Sequence, residues 1–234
     1  MKTKLIFLII ILFCNVGFLE AQLPQFNSKE LKEGWTLLFD GKTLDGWKKS
    51  NGELVSDKGW KIENGCITAV KGGKGGDIIT AGEYSDFELT LDFNIESGCN
   101  SGIKYFYTKY ATGENLGMEY QILDDKLAED NKKENHLCGS FYDVLPVSTD
   151  KKMVNAPGEW NTVRIVSKGK KVEHWLNGVK ILEFTRGDKT YSDAVARSKF
   201  NKSVPVFGMV EKGHILLQEH GGEASFRNIK IKLL

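Results

Sequence analysis

From residue 34 onward the chain reads as short runs in which apolar and polar positions alternate. In FELTLDF, Phe87, Leu89, Leu91 and Phe93 alternate with Glu88, Thr90 and Asp92. That period of two predicts an antiparallel strand with one face in a core and the other toward water. GMEYQILDD repeats the pattern, with Met118, Tyr120 and Ile122 on one face and Glu119 and Gln121 on the other. WTLLF, WKIENGCITAV, DIIT, SGIKYFYT, HILLQEH and FRNIKIKLL read as further strands, broken by Gly, Asn and Asp turns. Residues 163–184 carry two hairpin signals, Lys168-Gly169-Lys170 and Asn177-Gly178, and predict a three-stranded meander. The expected class is all-β, with two antiparallel sheets packed face to face. A single short helix is expected near residues 192–200. The connection over residues 125–159 is far longer than a hairpin loop, and its GSFYDVLP segment places Tyr142 and Asp143 among apolar neighbours. It is expected to pack down and line one rim of a sheet.

Composition narrows the partners. The 234 residues are 41% hydrophobic, enough for the core of one domain, expected over residues 22–234. Lys and Arg number 32 against 31 Asp and Glu, with no basic block, so nucleic acid is not an expected partner. At the N-terminus, Lys2 and Lys4 precede the apolar run LIFLIIILF, and Ala21 offers a small residue for cleavage. Residues 1–21 are read as a secretory signal peptide, and the protein as secreted or periplasmic. Cleavage removes two lysines and one glutamate, taking the formal charge from +1 to 0. Lipidation at Cys14 is the alternative, disfavoured by the bulky Phe13 before it. No second apolar run is long enough to span a bilayer. The remaining Cys66, Cys99 and Cys138 are odd in number and outside any CxxC spacing, so buried free thiols are expected ahead of a disulfide or a zinc site.

Candidate chemistry gathers on a few strands. Glu119 and Gln121 project from one face about 7 Å apart, and Asp124 follows closely. HILLQEH sets Gln218 and His220 on one face in the same way, so two strands present polar pairs, as the lining of a cleft would. A solvated outer face is the plainer alternative. His220 suits proton transfer near neutrality, whereas His174 is read as a packed structural residue. NSGIKYF places Asn100, Ser101 and Gly102 at the start of a strand, with Lys104 two residues on. Trp35, Trp47 and Trp60 could stack on a sugar ring or fill the core. GGKGG lacks the ending and following helix of a phosphate loop. Asp124, Asp125, Glu129 and Asp130 are oxygen donors without an EF-hand spacing, so neither a metal nor another cofactor is expected.

GWTLLFDGKTLDGW, SGIKYF, GMEYQILDD, GSFYDV, PGEWNTVRIVSKGKKVEHWLNG and LLQEHGGEASFRNIKI occur together and in order. In these motifs the chain, over about residues 33–234, resembles the 3-keto-disaccharide hydrolase family, long grouped as a domain of unknown function in secreted bacterial proteins. The resemblance implies a concanavalin A-like jelly-roll sandwich acting on glycosides whose C3 hydroxyl has become a ketone. Such a ketone acidifies the C2 proton, so a base could form an enolate that expels the C1 substituent, and water could add back. In that scheme Glu119 and His220 are the base and acid pair, in either order, and Lys104 is the donor to the developing oxyanion. Ser101, Gln121, Asp124, Tyr142, Asp143 and Gln218 would bind the sugar. The chain has Lys104-Tyr105 where relatives often read Arg after the SGI turn, and Glu219 where they often read Asp. The competing class is a lectin-like carbohydrate-binding module without turnover. A retaining endoglucanase, which needs two carboxylates about 5 Å apart, is disfavoured. The partner in either leading case is an oligosaccharide or glycoside, and the sequence gives no oligomeric state.

Overall fold

The computed structural model describes residues 23–234; the expected signal segment lies outside them. Thirteen strands follow in chain order: β1 (Thr36–Leu37), β2 (Trp47–Lys49), β3 (Trp60–Glu63), β4 (Cys66–Ala69), β5 (Ile78–Thr80), β6 (Phe87–Ile95), β7 (Asn100–Lys109), β8 (Asn115–Leu123), β9 (Asn161–Lys168), β10 (Lys171–Leu176), β11 (Val179–Thr185), β12 (His214–Leu217) and β13 (Ala224–Leu233). They form two antiparallel sheets, as the alternation predicts. The larger runs β11-β10-β9-β6-β13-β4-β3, with β1 also pairing β13; the smaller runs β2-β5-β12-β7-β8. At the β10–β11 turn both Asn177 and Gly178 have positive φ, 48° and 83°, the conformation a two-residue hairpin needs to match strand twist.

One core lies between the sheets. Phe87, Leu89, Leu91, Phe93 and Ile95 of β6 face inward, each nearly or fully buried. At about 2 kcal/mol per buried apolar side chain, this face contributes on the order of 10 kcal/mol before chain entropy is charged against it. Ile103 and Tyr105 of β7 and Met118, Tyr120 and Ile122 of β8 meet the core from the other sheet, with Phe87 and Tyr105 ring centroids 6.3 Å apart. His174 joins the two sides. Its Nδ1 donates to Gly139 O (2.8 Å) and its Nε2 accepts from Tyr105 Oη (2.9 Å). Full burial pushes its pKa down to about 4, so the imidazole is neutral, the structural role its sequence position predicts. Trp47 and Trp60 are also core residues, donating to Leu38 O and Gly76 O. Cys66, Cys99 and Cys138 are buried and free.

The helix arrives earlier than expected. α2 (Lys189–Arg197) follows α1 (Ser28–Lys32) and starts where Asp188 caps it by accepting from Tyr191 N (2.8 Å). A 3-10 turn, Lys199–Lys202, then carries the chain back over the smaller sheet. The long connection packs down as expected. Gly139 N donates to Gln121 O, Gln121 N to Ser140 O and Tyr142 N to Glu119 O, so residues 139–142 cover the otherwise open edge of β8.

Candidate functional site

Opposite the core, the outward face of β7 and β8 floors a cavity. In the antiparallel register Lys104 stands across from Glu119 and Gly102 across from Gln121. The cavity encloses about 180 Å³, and Lys104, Glu119, Gln121, Tyr142, Lys199 and His220 are among the residues around it. Although the face is outward, Glu119 is only 6% exposed, because the 139–142 segment and the 3-10 turn close over it. Burial raises the Glu119 carboxyl, against the opposing pull of Lys104, Lys199 and His220. Lys104 Nζ lies 3.7 Å from Glu119 Oε2 and 3.9 Å from Asp77 Oδ2, an ammonium between two carboxylates. Asp77 is itself raised by burial and receives Glu219 N at 3.0 Å. With its amide turned to satisfy its neighbours, Gln121 donates to Glu119 Oε1 and to Ser101 O, both at 3.1 Å. Glu and Gln share this strand face because one holds the other. Glycine at 102 leaves the carboxylate its place: a Cβ there would sit 2.5 Å from Glu119 Oε1 and push it aside.

Each wall comes from a different part of the chain. Tyr142 is brought by the long connection, Lys199 and Phe200 by the 3-10 turn, and Gln218 and His220 by the residues just past β12. Gln218 N is tied to Gly102 O, while its Oε1 has no protein partner. Lys199 Nζ lies 4.2 Å from the centre of the Tyr142 ring. Asn100, Tyr142 and His220 are shared with an adjoining basin of about 590 Å³, lined further by Lys71, Glu96 and Glu129.

Three expected sugar contacts are committed elsewhere. Ser101 points to the core side of β7, where its Oγ donates to Gln218 O (2.8 Å). Asp124 accepts from Gly98 N, Lys126 N and Leu127 N, and these bonds outweigh burial and lower its carboxyl. Asp143 accepts from Lys199 N and sits against His136 and Lys133. Small polar residues at strand ends and turns serve the backbone as readily as a ligand. Trp35, Trp47 and Trp60 do not line the cavity either. Among the described residues no group of three or more His, Cys, Asp or Glu could hold a metal ion, and Asp125 of the acidic stretch is paired with Lys152. Sequence periodicity did not point to Asp77, Lys199 or His136, which act across turns and long sequence separations.

Comparison with known proteins fits this geometry. The sequence profile of the 3-keto-alpha-glucoside-1,2-lyase-like domain matches residues 34–232. A 3-keto-disaccharide hydrolase of Bacteroides thetaiotaomicron is 31% identical over 236 residues, covering 86% of this chain and 79% of that protein. Two crystal structures from Parabacteroides distasonis, both described as candidate glycosyl hydrolases, are similar. One has a TM-score of 0.81 at 33% identity, covering 91% of this chain and all of the other. The second has a TM-score of 0.71 at 34% identity, covering 86% and 99%. A Bacillus subtilis protein of galectin-like fold, 14% identical with a TM-score of 0.50 and covering 90% and 93%, shares the sandwich alone.

Proposed function

Since the chain belongs to the 3-keto-alpha-glucoside-1,2-lyase-like family, we propose that it cleaves the glycosidic bond of 3-keto-glycosides, with Glu119 as the base that removes the C2 proton. The observation that carries this reading is that Glu119 is the only carboxylate lining the inner cavity among the described residues. Hydrolysis by the usual glycosidase routes needs two carboxyl groups flanking the bond, about 5 to 9.5 Å apart. Elimination next to a ketone needs one base, a donor to the oxygen that becomes the enolate, and a proton for the leaving group.

The residues present can fill those roles. Burial raises the Glu119 carboxyl, which brings its basicity closer to the weak acidity of a carbon proton beside a ketone. The electron pair freed from the C2–H bond moves toward the C3 oxygen, where Lys104 supplies positive charge, and the C1–O bond then breaks. His220, which lines both hollows, gives the departing oxygen its proton in this reading. Addition of water to the unsaturated ring completes a net hydrolysis; without it the reaction stops as a lyase. Gln121 keeps the carboxylate turned toward the ligand.

The test is incubation with 3-keto-glucosides in deuterated water. Deuterium at C2 of recovered sugar supports the enolate. An unsaturated product, which has lost its C2 proton, supports it equally; a hydrolysed product that keeps its original C2 proton would refute Glu119 as a C2 base, and binding without cleavage would make the protein a carbohydrate-binding module instead. We also propose export, from the charged start, apolar run and Ala21 of the sequence. In fractionated cells the protein should be found outside the cytoplasm with an intact mass that begins at Gln22; a cytoplasmic protein that keeps residues 1–21 would refute export, and a lipid-modified Cys14 as first residue would refute cleavage after Ala21.

A further inference from the structure

Behind Tyr142 lies a chain of side chains to which the proposed chemistry assigns no part. His136 is buried, with Nδ1 2.7 Å from Asp130 Oδ1 and Nε2 2.8 Å from Asp143 Oδ1. Each carboxylate has a second duty at the cavity wall. Asp130 Oδ2 accepts from Tyr142 Oη at 2.8 Å, and Asp143 Oδ2 accepts from Lys199 N at 2.7 Å. The charged groups packed around the imidazole are therefore Asp130, Asp143, Lys133 at 3.3 Å from Asp143, and Lys199 over the Tyr142 ring, with Glu119 across the cavity.

An ionised carboxylate only accepts hydrogen bonds. Asp130 already accepts from Tyr142 Oη, and Asp143 from Lys199 N and Lys133 Nζ, so each carboxylate is an acceptor before His136 is counted. Each ring nitrogen of His136 must then bring its own proton. A neutral imidazole has one N–H and would turn a lone pair on an oxygen less than 3 Å away. The hydrogen-bond geometry calls for the imidazolium.

We propose that His136 is a positioning residue for the cavity: as an imidazolium clamped between Asp130 and Asp143, it fixes the hydroxyl of Tyr142 and the main chain of Lys199. The proposal rests on the reading of this cavity as the active site. Its chemical consequence falls on Tyr142. With its proton committed to Asp130, the Tyr142 oxygen offers only lone pairs to a ligand, so it receives a hydrogen bond from a sugar hydroxyl.

Two measurements test this. Nitrogen-15 NMR of the imidazole in the intact protein at neutral pH should show both His136 nitrogens protonated; a neutral tautomer overturns the proposal, whatever the substrate proves to be. In kinetics with a 3-keto-glucoside, His136→Gln, which keeps one donor, should raise KM about tenfold with a smaller change in kcat. Tyr142→Phe should act similarly. If His136 works through Tyr142, the double variant should lie within about threefold of the worse single variant. Multiplying effects would mark His136 as merely structural and overturn the proposal. Should His136→Gln fail to fold, the NMR result on the wild-type protein decides. Absence of any wild-type turnover would refute the proposed reaction, and the imidazole spectrum would still decide the clamp.

Discussion

Replacing Lys104 by Met keeps an unbranched side chain of similar length but removes the ammonium that stands 3.7 Å from Glu119 and 3.9 Å from Asp77. A charge pair at the Glu119 distance is worth about 1 kcal/mol at the dielectric constant of water and about 4 kcal/mol at an effective value of 20. Glu119 and Lys104 are both largely shielded, which places the interaction within that span. Losing it makes ionisation of Glu119 about five- to a thousandfold less favourable. A base must be ionised to take a proton, and Lys104 is the foremost influence lowering the Glu119 carboxyl against its burial. In Lys104→Met that carboxyl therefore rises further, and the acid limb of kcat/KM moves to higher pH. The assay is kcat/KM for a 3-keto-glucoside from pH 4 to 9, with a thermal melt at each pH. An added loss on the plateau, of about a hundredfold, would report the donor to the developing oxyanion. An acid limb at the wild-type position would refute the coupling, because the rate-controlling carboxyl would then not be the one beside Lys104.

Glu119→Gln keeps size and hydrogen-bonding capacity but cannot accept the proton, so turnover should fall by about a hundredfold or more with little change in melting temperature. Gln121→Ala should also lower kcat, by a smaller factor, because it frees the carboxylate from its orienting amide; wild-type rates in both variants would remove this strand face from the mechanism. A different pH dependence belongs to His174, which binds a proton near pH 6.5 when unfolded but only near 4 when folded. The stability this depressed pKa confers is complete above 6.5 and drains away by about 3 kcal/mol as pH falls toward 4. His174→Gln should flatten that part of the stability curve measured by chemical denaturation, and an unchanged slope would show that the buried imidazole is not its source.

Much of the floor was legible because strand alternation is local. Met118, Tyr120 and Ile122 point inward and Glu119 and Gln121 outward, as a period of two requires, and Lys104 stands opposite Glu119 on the neighbouring strand. The walls were less legible. Lys199 reaches Tyr142, and Asp143 reaches the Lys199 amide, across more than fifty residues of chain, by a route that depends on where α2 begins. Asp188 as the cap sets that start, and the apolar pattern over residues 192–200 alone puts the helix too late. Ser101 and Asp124 misled for another reason: hydroxyl and carboxylate groups at the end of a strand satisfy loose backbone donors and acceptors as well as they would a sugar. WTLLF yields only the two-residue β1, since its apolar content reflects packing at a sheet margin rather than a long ladder.

The division of β8 into a wet and a dry side also bears on how such a protein can diverge. If the proposed reaction is right, neighbouring codons answer to different selective pressures: positions 118, 120 and 122 to thermal endurance, 119 and 121 to what is bound and turned over. A lineage could explore new leaving groups through the outer basin, around Lys71, Glu96 and Glu129, while the apolar inventory of β8 stays intact. The separation is broken where the main chain of residues 139–142 is stitched to the strand. There, an insertion that enlarges the outer basin would also tug on the strand carrying Glu119, so changes of specificity arising in that loop should travel with compensating changes in β8.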